Sequence, residues 1–368
     1  MIQFLELKPG YEELQEEFDQ AYRRVMESGY YLLGNEIAAF ESEFAGYCGS
    51  RHCIAVGSGL DALFFSLLAY EIGPGDEVLV PAQTFIATWN AVSFTGATPV
   101  PVDVSLTDGN IDPEKIEAAI TNKTRGIIPV DLFGIPCRMN QIKEIAQKQN
   151  LVIVEDAAQA HSATRNGVHC GQDTETAAFS FYPGKNLGAF GDGGGVITDS
   201  DEIARKIRML RNYGAEKKYH HVMTGFNSRL DELQSAFLRV KLAKLDQWHE
   251  RRIEQAKIYM SNLADIPNLS LAQIPEGFGS SWHLFPVFTE RRQQLQGFLE
   301  SKQIKTLRHY PIAPAFARAF EHLGHTPKDF PNAAIMACNE LSLPMGPHLS
   351  VKEVETVCNA VCEFFENE

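Results

Sequence analysis

The chain has 368 residues, 44% hydrophobic and 22% charged, which is ordinary for a globular protein and long enough for two or three domains. Its formal net charge of −14 argues against nucleic acid or an anionic membrane as a general partner. No apolar run approaches the ~20 residues a bilayer span needs, and the start, Met1 to Lys8, lacks the basic and apolar regions of a signal peptide.

Residues 11–28 place Leu14, Phe18, Ala21, Tyr22 and Val25 on one face of a helix that Gly29 would end. A second helix is expected over 36–47. Strands and helices then alternate: strand 52–56, helix 59–69, strand 77–80, helix 87–94, strand 98–102, and a helix opened by Asp112-Pro113. Strand 126–130, helix 139–149, strand 151–155 and strand 177–181 follow. Near-continuous apolar strands alternating with helices predict a mainly parallel sheet covered on both faces. Ligands of such sheets sit at the carboxyl ends of the strands.

After a charged helix at 201–211, one long helix is expected over 228–263. From about residue 245 the elements become short and mixed: strand 282–289, helix 291–302, a loop at His309-Tyr310-Pro311, and helix 332–340. This suggests a large domain over 1–244 and a smaller α+β domain over 245–368. The last helix should open on the capping box Ser350-Val351-Lys352-Glu353 and bury Val351, Val354, Val357, Val361 and Phe364. Seven cysteines without a Cys-x-x-Cys pair point to free thiols in a reducing cytoplasm. Cys358 and Cys362 have helical spacing but no further ligand to complete a metal set, so core packing is expected.

Three points with chemistry follow strand ends. Gly57-Ser58-Gly59-Leu60-Asp61-Ala62 could hold a phosphate on helix-start N–H groups, and also matches the dinucleotide pattern G-x-G-x-x-A. The next strand ends Val80-Pro81-Ala82 with no acid for ribose hydroxyls, which favours a single phosphate; a turn with no ligand stays open. Glu155-Asp156 places two carboxylates at a buried strand end, where each needs a partner. Asp156 could hold a protonated ring nitrogen; an ion pair with a nearby arginine or a helix N-cap is the other reading. Ser180 to Gly195 sets Lys185 among glycines, either as a desolvated amine or as an incidental surface lysine. Phosphate cradle, buried Asp156 and Lys185 together meet the demands of pyridoxal 5'-phosphate: an amine for the Schiff base, an acid for the pyridine nitrogen, and an aromatic such as Phe85 over the ring. A core position is the other reading of Phe85.

On Glu155-Asp156-Ala157-Ala158-Gln159, Ser180 to Gly188, Gly191-Asp192-Gly193-Gly194 and Asn227 to Gln234, the chain resembles end to end the sugar aminotransferases related to DegT, DnrJ, EryC and StrS. The resemblance implies a fold-type I α/β architecture, with a mainly parallel seven-stranded sheet in the large domain and a smaller C-terminal α+β domain. It implies transfer of the amino group of L-glutamate to a nucleotide-linked keto-deoxysugar. Lys185 would be the Schiff-base lysine and acid–base, and Asp156 would pair with the pyridine nitrogen. Gln159 would reach the ring hydroxyl or pack under the ring, and Phe85 would stack on it. Ser180 and the backbone of Gly59 and Leu60 would hold the phosphate, helped by Asn227 of a neighbouring subunit, so that the active unit is a homodimer. Leu60 departs from the family's frequent Thr and leaves only a backbone contact.

Lys185 argues against the family's dehydratases, which carry His there. Tyr182 resembles members that aminate carbon 3 of a dTDP-linked 3-keto-6-deoxyhexose; carbon-4 enzymes more often carry His at that place, and amination of a 4-keto sugar is the alternative. His309 and Tyr310 look like the family's substrate loop. His220 and His221 could help bind a pyrophosphate, or could belong to a solvated loop. A non-catalytic cofactor-binding regulator is a further reading, disfavoured by the acidic surface and by Lys185 and Asp156 together. A nicotinamide or flavin oxidoreductase is a third.

Overall fold

The computed structural model describes residues 1–366. Short runs rich in Val, Ile and Ala form its central strands, as their β-branched content favours. In chain order these are β1 (His52–Val56), β2 (Glu77–Pro81), β3 (Thr98–Val102), β4 (Thr124–Ile127), β5 (Val152–Ile153), β6 (Glu155–Asp156), β7 (Thr176–Ser180) and β8 (Gly194–Thr198). They make two four-stranded ladders, ordered β3-β2-β4-β5 and β1-β8-β7-β6. The ladders meet where the chain runs on from β5 to β6. There Val154 N donates to Ile127 O at 3.1 Å and Asp156 N to Pro129 O at 2.8 Å. The mainly parallel sheet expected from the resemblance is thus laid down as two four-stranded ladders that follow one another at this segment. Its pairings are parallel except those of β8, which runs antiparallel to both β1 and β7.

Both faces are covered, and the period-2 alternation of each strand divides the core. Ile54 and Val56 pack with Leu63, Phe65 and Trp89 on one face. Cys53 and Ala55 pack with Phe40, Phe44 and Phe179 on the other. Near the chain's end, Ser270–Leu271, Phe285–Phe288 and Glu340–Leu343 form a three-stranded antiparallel sheet. Helices Leu245–Leu263 and Val351–Glu366 close over it, and Ile2 is buried in the same cluster. No helix among the described residues is long and apolar enough to cross a membrane.

Several local expectations change. The single helix expected over 228–263 is two, Glu232–Leu242 and Leu245–Leu263. The break re-aims the chain: Leu238 and Leu245 bury against the large sheet, whereas Ala256, Tyr259 and Leu263 bury in the C-terminal cluster. The first helix is likewise divided at Leu14, into Lys8–Glu13 and Gln15–Ser28, and ends at Gly29 in the left-handed region (φ 67°). Tyr22 and Val351, expected on buried faces, are exposed, while their companions Phe18, Ala21, Val354 and Val357 are buried. The capping box forms: Ser350 N donates to Glu353 Oε2 at 2.9 Å and Glu353 N to Ser350 Oγ at 3.3 Å. Cys358 is buried in the C-terminal cluster.

Candidate active site

The carboxyl end of β1 leads directly into helix Gly59–Ala69. Ser58 caps it, accepting from Asp61 N at 3.1 Å, and the remaining first-turn N–H groups have no partner within the helix. A Cβ at Gly59 would lie 2.7 Å from Ser180 Cβ, and one at Gly194 would lie 2.2 Å from Ser58 O. Only glycines allow β1, β7 and β8 to bring Ser58, Gly59 and Ser180 this close. The result is a cradle of helix-start amides beside a serine hydroxyl, suited to a phosphate. Leu60 adds no polar group. Ser228 braces the cradle, accepting from Gly57 N at 2.9 Å and donating to Asp61 Oδ2 at 2.8 Å. Its neighbour Asn227 is exposed.

Asp156 ends β6 and is only 5% exposed. Thr88 Oγ1 donates to its Oδ2 at 2.8 Å and Ala158 N to its Oδ1 at 3.2 Å. No cationic side chain forms an ion pair with it among the described residues. Burial raises its pKa, and the Thr88 and Ala158 donors hold that rise back. Lys185 is half-buried. Desolvation pushes its amine down to about 8, against the pull of the Asp156 charge. A buried acid and a desolvated amine thus sense each other with neither neutralised by a salt bridge. Such a pair suits a group that brings its own cation for the acid and its own carbonyl for the amine.

The remaining groups form an aromatic and amide wall. The Phe85 ring, 51% exposed, lies 5.2 Å from that of Tyr310 with 40° between the planes. Gln159 accepts from Phe133 N at 2.6 Å and donates to Tyr310 Oη at 3.1 Å. Gln83 donates to Tyr310 O at 3.0 Å. His309 and Tyr310 feel the charges of Lys185 and Asp156 respectively. Tyr182 is 58% exposed, its backbone N 3.3 Å from Ser180 Oγ. The fold therefore gathers Gly59, Ser180, Asp156, Gln159, Lys185, Phe85, His309 and Tyr310 at one end of the sheet. It leaves His220 and His221 on an exposed hairpin strand, where His221 Nδ1 lies 2.9 Å from Tyr213 O.

Some functional neighbours carry no local sequence signal. Thr88 is one; the partners of Glu155 are others. The arginine pairing weighed for the two acids applies to Glu155, which meets Arg165 at 2.8 Å. Arg165 also meets Asp173 at 2.5 Å and Asp131 at 3.5 Å. Asp131, Glu155 and Cys170 lie close enough to share a cation, and the guanidinium of Arg165 fills that place, 3.4 Å from Cys170 Sγ.

Comparison with known proteins follows the same line. Residues 12–362 match the model of the DegT/DnrJ/EryC1/StrS aminotransferase family. The chain is 49% identical over 365 residues to the dTDP-3-amino-3,4,6-trideoxy-alpha-D-glucose transaminase of Streptomyces venezuelae, covering 99% of this chain and 96% of that one. It is 46% identical over 361 residues to the dTDP-3-amino-3,6-dideoxy-alpha-D-galactopyranose transaminase of Aneurinibacillus thermoaerophilus, covering 98% and 99%. The crystal structure of S. venezuelae DesV with a ketimine intermediate superposes with a TM-score of 0.98 at 49% identity, covering 99% of this chain and 98% of that one.

Proposed function

The chain belongs to the DegT/DnrJ/EryC1/StrS aminotransferase family, and on that premise we propose that it transfers the amino group of L-glutamate to a dTDP-linked 3-keto-6-deoxyhexose in deoxyamino-sugar biosynthesis. Its cofactor is pyridoxal 5'-phosphate. Bound at this site, that group supplies an aldehyde that takes up amines and a protonated ring that draws electrons from the adjoining carbon. Amination at carbon 3 is supported by the two relatives above, both 3-amino sugar transaminases.

The observation that carries this reading is the desolvated Lys185 facing a buried Asp156 that lacks a salt bridge. With a pKa near 8, Lys185 Nζ is partly neutral at cytoplasmic pH, so it can take a proton from a donor's α-carbon and return one. Asp156, whose upward shift the Thr88 and Ala158 donors hold back, would accept from the ring N–H. The amides at Gly59 and Leu60 and the Ser180 hydroxyl bind the phosphate without adding charge beside the lysine. Phe85 would cover one face of the ring, and Gln159, which orients Tyr310, would reach the ring hydroxyl or pack under the ring. Tyr182, His309 and Tyr310 line the sugar's approach.

A homodimer completes the site. Tyr30, Phe85 and Tyr182 are each more than half exposed in the single chain, an apolar surface that a second copy would cover. Asn227, exposed beside the cradle-bracing Ser228, would reach the phosphate of the partner subunit. The seven free cysteines support a reducing, cytoplasmic setting.

The test is optical. Glutamate should bleach the long-wavelength absorbance of the loaded protein, and Lys185→Ala should retain cofactor without that response. A wild-type protein that takes up no chromophore from pyridoxal 5'-phosphate would overturn the assignment.

A further inference from the structure

Behind the sugar side of the site stands a row of three polar groups, Glu340 and Ser342 buried and His309 half-buried. Strand Glu340–Leu343 carries Glu340 and Ser342 two residues apart, on one face. Backbone pairing between Leu307 and Ser342, at 2.8 and 3.3 Å, brings His309 alongside. His309 N donates to Glu340 Oε2 at 2.6 Å. Ser342 Oγ donates to Glu340 Oε1, and lies 2.8 Å from His309 Nδ1. Phe4 stacks on the imidazole at 5.6 Å and Tyr310 meets it edge-on at 5.3 Å, which fixes the ring plane.

Donor counting then decides the tautomer. An ionised carboxylate only accepts, so the single hydroxyl proton of Ser342 is committed to Glu340. Toward His309 the serine offers a lone pair, so Nδ1 must carry the hydrogen and Nε2 must be bare. We propose that Glu340, acting through Ser342, holds His309 as the Nδ1–H tautomer so that Nε2 meets the substrate as an acceptor for a sugar hydroxyl. His309 acts on the substrate; Ser342 and Glu340 are positioning residues. Nε2 has no hydrogen-bond partner among the described residues. The nature of the hydroxyl donor rests on the proposed keto-sugar substrate, whereas the tautomer does not.

The surrounding charges agree. Burial and the Lys185 ammonium push His309 down to about 4, so the ring is neutral in the working range. Burial raises Glu340 to about 7, against the Ser342 and His309 donors and the Arg308 and Arg292 charges. The carboxylate is therefore ionised at pH 8.

Glu340→Gln gives a sharp test. The His309 backbone N–H still needs an acceptor, which turns the amide oxygen toward it and the NH2 toward Ser342. Ser342 would then donate to His309 Nδ1, and the ring hydrogen would move to Nε2. Nitrogen-15 NMR of the cofactor-loaded protein at pH 8, with His309 assigned through His309→Gln, reads this directly. Wild type should show a protonated Nδ1 and a bare Nε2; Glu340→Gln should show the reverse; Ser342→Ala should lose the preference. In Glu340→Gln the KM for the keto sugar should rise roughly tenfold, since the hydroxyl must turn to accept from Nε2–H and its own hydrogen loses this acceptor, while the glutamate-driven absorbance change keeps its rate. A bare Nδ1 in wild type, an unmoved hydrogen in Glu340→Gln, or an unchanged sugar KM there overturns the proposal. The NMR arm needs no sugar, so a wild type that aminates no keto sugar counts against the functional reading alone.

Discussion

Thr88 Oγ1 sits 2.8 Å from Asp156 Oδ2, so a hydroxyl from helix Ile86–Phe94 supports the acid at the end of β6. Burial alone would drive that carboxyl toward its neutral form, and the Thr88 donor is the largest influence opposing this. Thr88→Val removes the donor at nearly constant volume. The Asp156 pKa then rises further, and the acid limb of the pH profile for the glutamate half-reaction should move to higher pH. Near neutrality the rate should fall about tenfold, with recovery as the pH is raised. An acid limb superimposable on the wild type would remove Thr88 from this role.

Gly194 tests the cradle. A Cβ there would lie 2.2 Å from Ser58 O and 2.6 Å from Gly59 N. Gly194→Ala must push the helix start away from Ser180, at a strain of about 1–3 kcal/mol. Affinity for pyridoxal 5'-phosphate should fall by roughly ten- to a hundredfold. Pyridoxal without its phosphate, titrated in parallel, should bind almost as it does to wild type. Equal losses for both would place the phosphate elsewhere.

Arg165 tests the ion cluster behind the site. Removing one partner of a buried pair strands the others, and typically costs about 3–5 kcal/mol. In Arg165→Met, Asp131, whose carboxyl burial already pushes up, would avoid burying a bare charge only by binding a proton, which its unfolded form releases near pH 4. The folded state then binds the extra proton, so stability falls as pH rises from 5.5 to 8. Thermal melting should show a larger deficit at pH 8 than at pH 5.5. A deficit independent of pH would mean that the acids find other partners.

What the sequence disclosed follows from how each feature is encoded. Strand patterns, the glycine-flanked Lys185, the helix-start glycines and the Asp156 strand end are local, so composition and spacing reveal them. Thr88, Arg165 and the Glu340–Ser342–His309 row are ordinary residues until the sheets bring them to their partners, across separations that leave no periodic trace. The helix break at Ala243-Lys244 has no Gly or Pro to announce it; it follows from which cluster each half buries in. The two exposed histidines, His220 and His221, show the converse. A basic, polar run invited a binding role that the single chain's geometry does not gather with the rest.

The central claim is that nitrogen passes from glutamate to carbon 3 of a sugar nucleotide. Incubation of the loaded protein with nitrogen-15 glutamate and a dTDP-linked 3-keto-6-deoxyhexose, followed by mass spectrometry and NMR of the product, measures this directly. The account predicts a labelled amine on carbon 3 with release of 2-oxoglutarate. An unlabelled sugar, or label on carbon 4 when the 4-keto isomer is supplied and none on carbon 3, would contradict it.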